Sequence, residues 1–84
     1  NIGDIRASIV VYAQDGGVGI SARSLGDINV QLIMESLGGG GHQTMAAAQM
    51  RHITPEAAVS RLRSAIDTYR ASQRKDSVTQ GTKA

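Results

Sequence analysis

Four consecutive glycines close a helix-like segment and run straight into a histidine, Gly38-Gly39-Gly40-Gly41-His42. No regular element tolerates such a run in its interior, because each glycine loses backbone entropy on ordering and adds no side chain to pack. The chain must therefore be divided here. Two readings of the run stand side by side. The glycines let the backbone approach a ligand, with successive N–H groups forming an anion nest, or they are a flexible connector after a helix end. The run leads from a helix into an extended segment. That order is the reverse of nucleotide-triphosphate loops, and their lysine is missing, which disfavours a mononucleotide triphosphatase.

On either side of the run, periodicity predicts the elements. Ala7 to Ala13 is short, apolar and β-branched, and reads as a well-buried strand. Asp15-Gly16 is a hairpin signal. Val18 to Ser24 alternates, with Val18, Ile20 and Ala22 on an apolar face and Ser21 and Arg23 on a polar one. Asn29 is a good N-cap for a helix whose apolar positions are Val30, Ile33, Met34 and Leu37, with Gly38 at its end. Met45 to Ile53 is alanine-rich and reads as a strand. Thr54-Pro55-Glu56 opens a last helix with Val59, Leu62, Ile66 and Tyr69 as its apolar stripe. From Ser72 to Ala84 the chain is polar and aperiodic and is expected to be a disordered tail.

These elements make an α/β fold in the order β-β-α-β-α. The connection from Ser24 to Met45 is long enough for a right-handed crossover. The expected sheet is therefore mixed, an antiparallel hairpin plus a parallel strand, with both helices on one face. With 84 residues the chain is one small domain. It has no cysteine and no apolar run near the ~20 residues a bilayer needs, and no signal peptide is visible at its start. It is expected to be soluble.

Charge narrows the function. The net charge is +2, but residues 1–73 carry six arginines and six acids, and the excess lies at Arg74, Lys75 and Lys83 against Asp76. A binder of long nucleic acid needs a basic face that neutralises many phosphates, and Tyr12 and Tyr69 are the only aromatics. A small anionic ligand held by a few groups suits the chain better. Ser21 and Arg23 lie two residues apart on one strand face, roughly 7 Å, and an arginine fork beside a hydroxyl reads phosphate or carboxylate. The plain alternative is a solvated strand face. His42 follows the glycine run directly. His52 stands ten residues on, outside zinc spacing and with no cysteine to join it, so no metal site is expected. Arg61, Arg63 and Arg70 belong to the solvated side of the last helix. Neither a nucleophilic triad nor a pair of carboxylates is visible.

Two separated segments carry a resemblance. Val18-Gly19-Ile20-Ser21-Ala22-Arg23-Ser24, followed by Asp27-Ile28-Asn29-Val30 and then Met34-Glu35-Ser36-Leu37-Gly38-Gly39-Gly40-Gly41-His42, resembles the DHH-associated domain of DHH-family phosphodiesterases. The continuation Gln43-Thr44-Met45-Ala46-Ala47-Ala48-Gln49 is similar to the membrane-anchored cyclic-di-AMP phosphodiesterase type. Many relatives carry a glycine where Ala48 stands, and the family's domain usually begins earlier, with another strand and helix. The resemblance therefore implies that residues 1–71 are a partial domain with an unpaired sheet edge, prone to self-association as a homodimer. It also implies a DHH domain in the same parent, where two manganese ions activate a water that opens cyclic-di-AMP to linear pApA. Ser21, Arg23, Gly39, Gly40, Gly41 and His42 are then the substrate-binding residues, with no catalytic or metal-ligating residue in the chain itself. The parent is expected to be anchored in the bacterial membrane with this domain in the cytoplasm, out of contact with the bilayer. Two alternatives remain: the same domain of a single-strand exonuclease or nanoRNase acting on a short oligonucleotide, and a non-enzymatic anion-binding or interaction module.

Overall fold

A hairpin starts the fold. β1 (Ala7–Gln14) and β2 (Gly17–Ser24) pair antiparallel from Ala7↔Ser24 to Gln14↔Gly17 around Asp15-Gly16, as the turn signal predicts. These elements come from a computed structural model that describes residues 6–83, with side chains as far as Arg74. The first and last expected positions, Asn1 and Ala84, lie outside the described residues. After the hairpin come α1 (Val30–Glu35), β3 (Gly40–Gly41), β4 (Met45–Arg51) and α2 (Pro55–Lys83). The strands form one sheet in the order β1-β2-β4-β3.

Every pairing in this sheet is antiparallel, where a parallel neighbour was expected for β2. The length of α1 explains the difference. Its six residues span about 9 Å, whereas the eight residues of β2 span about 26 Å. The helix is too short to carry the chain back along the strand. It instead returns to the end it left: the Ser24 N–H donates to Thr44 O at 2.8 Å, and Arg23 pairs with Met45.

Both helices pack on one face. The core beneath them is Val18, Ile20 and Ala22 from β2, Ala46, Ala48 and Met50 from β4, Val30, Ile33 and Met34 from α1, and Ala58, Leu62, Ala65 and Ile66 from α2, with Leu37 closing it. β1 is less buried than its apolar run suggests. Ala7, Ile9 and Val11 are half-buried, but Val10 is 55% and Tyr12 43% exposed. No helix covers their side of the sheet.

Caps fix where the helices begin. The Asn29 side chain accepts from Gln31 N–H at 3.0 Å and Leu32 N–H at 3.3 Å. Thr54 Oγ1 accepts from Ala57 N–H at 3.1 Å. The Tyr69 hydroxyl accepts from Asn29 N–H at 3.0 Å, tying α2 to the start of α1. The backbone of α2 is helical past Ser72 to Lys83, where the sequence reads as an irregular tail. Gln73, Arg74 and Lys75 are good helix formers, so polarity removes the apolar stripe there without removing the helical backbone.

Candidate functional site

The sheet has one covered face and one open face, and alternation assigns the residues between them. On the open face the register lines up rows across the strands. Ser8, Arg23 and Met45 form one row, and Val10, Ser21, Ala47 and Gly40 the next. Tyr12, Gly19 and Gln49 form the third, and Gln14, Gly17 and Arg51 the fourth. Ser21, Arg23, Met45, Ala47, Gln49 and Arg51 are all exposed.

Arg23 and His42 stand at the same end of the sheet. The His42 N–H donates to Met45 O at 2.6 Å, and Met45 is the register partner of Arg23. The histidine therefore stands at the same end of the sheet as the arginine, two strands away, about 10 Å between backbones. Ser21 lies in the adjoining row, with Ala47 and Gly40 beside it. His52 is at the far end of β4. Its N–H donates to Gly16 O at 2.7 Å and its φ is 57°, so it shapes the hairpin end.

The glycine run serves the fold more than a nest would allow. The Gly38 N–H donates to Glu35 O at 3.0 Å, the Gly39 N–H to Met34 O at 2.8 Å, and the His42 N–H to Met45 O. Three of the donors that a nest would turn outward thus close the helix end and the β3–β4 turn. Gly38 has φ 86°, the left-handed conformation that ends a helix. Gly39 and Gly41 are pressed against β4. A Cβ on Gly39 would run into Ala47 O and lie 2.6 Å from Ala48 Cα, and one on Gly41 would lie 2.6 Å from Met45 O. Close approach is the right reason for these two glycines, but the surface approached is the protein's own strand. Gly40 differs: a Cβ there meets nothing within 4 Å, and it lies in the Ser21–Ala47 row.

Electrostatics favour an anion on the open face. Its side chains include Arg23 and Arg51 and no carboxylate among the rows named above. The overall neutrality of residues 1–73 hides this: among the described residues, Asp15 sits at the hairpin tip, Asp27 in the connection before α1, and Glu35, Glu56 and Asp67 on the helices. Among the described residues no group of three histidine, aspartate or glutamate side chains converges, so these residues do not fit a manganese site. Two concavities lie elsewhere. One of about 220 Å³ is at the hairpin end, beside Asp15, Arg51 and His52. The other, of about 310 Å³, lies between the end of α1 and the Ser60–Thr68 stretch of α2. Neither includes Ser21, Arg23 or His42.

Residues 2–72 match the DHHA1 domain family. The cyclic-di-AMP phosphodiesterase GdpP of Geobacillus thermodenitrificans is 55% identical over 67 residues, 80% of this chain and 10% of the relative. The cyclic-di-AMP phosphodiesterase PdeA of Listeria monocytogenes is 54% identical over 66 residues, 77% of this chain and 10% of the relative. GdpP of Bacillus subtilis is 50% identical over 70 residues, 82% and 11% of the two chains. The chain thus spans about a tenth of the length of these curated relatives.

Proposed function

Since the chain belongs to the DHHA1 domain family, we propose that it is the substrate-binding part of a cyclic-di-AMP phosphodiesterase. The open sheet face receives the phosphates, and a separate DHH domain of the same parent hydrolyses the cyclic dinucleotide to pApA with manganese. In this reading the parent is anchored in the membrane and this domain stays on its cytoplasmic side. Arg23 supplies a fork of N–H donors to a phosphate oxygen, and His42 and the Ser21 hydroxyl stand within the same patch. Contacts that tighten as charge develops on the phosphate raise kcat as well as affinity. The observation that carries the proposal is Arg23 on an open face whose described rows hold no carboxylate, with His42 at the same end of the sheet.

The test is made in the full-length parent. Arg23→Ala lowers kcat/KM for cyclic-di-AMP by about tenfold or more, as expected for roughly 1.5–3 kcal/mol of charge-assisted bonding. Arg61→Ala, on the exposed side of α2, leaves it unchanged. Equal rates for the two variants would remove Arg23 from the site. The β1 edge is the proposed homodimer contact. Its eight residues, ASIVVYAQ, carry no charge and no proline, and they pair with β2 without a bulge. It therefore lacks the usual protections of an edge strand.

A further inference from the structure

Tyr12 sits on the open face in a way that its place in the sequence does not announce. Its register partner is Gly19. A Cβ on Gly19 would run into the Tyr12 ring, meeting Cζ and, at 2.5 Å and 2.7 Å, Cε2 and the hydroxyl. The outer half of the ring therefore lies directly over the bare backbone of β2. Gly19 is buried although it lies on the uncovered side of the sheet, and Tyr12 remains 43% exposed. A ring laid over a strand with so much of it exposed offers an aromatic surface to solvent.

The surroundings match a planar ligand with an anionic end. Beside the ring, the row of Ser21, Ala47 and Gly40 is low, and Gly40 is a glycine that its own fold does not require. Beyond that row stand Arg23 and His42. Gly19 and Arg23 are four residues apart on β2, about 13 Å. A nucleotide lying along the strand, over the low row, would reach from the ring to the arginine.

The geometry points to Tyr12 as the stacking surface for a nucleobase of the ligand whose phosphate is held at Arg23 and His42. This rests on the phosphate-binding reading of the face and adds the base to it. One ring contributes stacking without choosing among bases, because every base has a π-face. The competing role for Tyr12 is to cover the Gly19 backbone and nothing more.

Chemical-shift mapping of the 84-residue chain separates the two roles, with adenosine monophosphate and ribose 5-phosphate as probes. The nucleotide is expected to move the Tyr12 ring protons upfield together with the Arg23 amide, and the sugar phosphate to move Arg23 alone. Tyr12→Leu, which keeps apolar cover over Gly19, is expected to weaken nucleotide binding about 5- to 150-fold and leave ribose 5-phosphate binding unchanged. Tyr12→Phe keeps both. If the Arg23 amide shifts with the nucleotide and the Tyr12 ring does not, the stacking role is overturned and the phosphate reading stands. If neither residue responds at tens of millimolar nucleotide, both fall. Should Tyr12→Leu not fold, the mapping on the unaltered chain decides.

Discussion

At the scale of single residues, the glycine run separates by what each position touches. Gly39→Ala and Gly41→Ala place a methyl group against the β4 backbone, so each is expected to destabilise the chain by about 1–3 kcal/mol. Gly40→Ala meets open space and should leave the melting temperature unchanged, or raise it slightly by restricting the unfolded chain. Equal losses at the three positions would contradict the placement of β3. His42 is exposed, so His42→Ala should cost well under the ~2–5 kcal/mol of a core truncation while lowering kcat/KM in the parent. A melting-temperature fall in proportion to lost activity would make the histidine structural. The candidate residues were legible as types in order: a serine and an arginine on one strand face, a histidine after the run. Which glycines press against β4 and which face open space was not legible, because that depends on a strand pairing the glycines themselves do not encode. Tyr12 was missed for the same reason. Only its register against Gly19 turns an apolar strand residue into an open ring.

Among the elements, periodicity named the faces well and said nothing of direction. The alternation of Val18, Ile20 and Ala22 put the buried face of β2 on the correct side, and the caps at Asn29 and Thr54 marked the helix starts. The direction of β4 relative to β2 is decided by how far α1 can carry the chain, and α1 stops after Glu35 because Gly38 and Gly39 turn back onto it. The α1 segment is also where the elements are tied together. Asn29→Ala removes two accepted backbone bonds and is expected to cost about 1 kcal/mol. Tyr69→Phe removes the acceptor for Asn29 N–H and should cost on the order of 1 kcal/mol. The Asn29 N–H is backbone and survives Asn29→Ala, so urea unfolding of Tyr69→Phe by itself reads the hydroxyl bond. An unchanged stability for Tyr69→Phe would mean that the hydroxyl bond contributes nothing.

For the molecule as a whole, the proposed function puts binding and chemistry in different parts of the parent. The purified chain is expected to show no phosphodiesterase activity with manganese added, and cyclic-di-AMP turnover by this chain free of other enzymes would overturn that division. Its stability rests on a thin core, in which Ala22, Ala46, Ala48, Ala58 and Ala65 make up five of the fourteen buried apolar residues among those described. Alanine brings helix and sheet close together but removes little hydrocarbon from water. The heat capacity of unfolding grows with the apolar area exposed, so it should fall at or below the low end of the usual ~12–15 cal/mol/K per residue. A small heat capacity flattens the curve of stability against temperature. Calorimetry should therefore find a shallow maximum, with the folded fraction changing little between cold-room and growth temperatures, and a sharply curved profile would be inconsistent with this alanine floor.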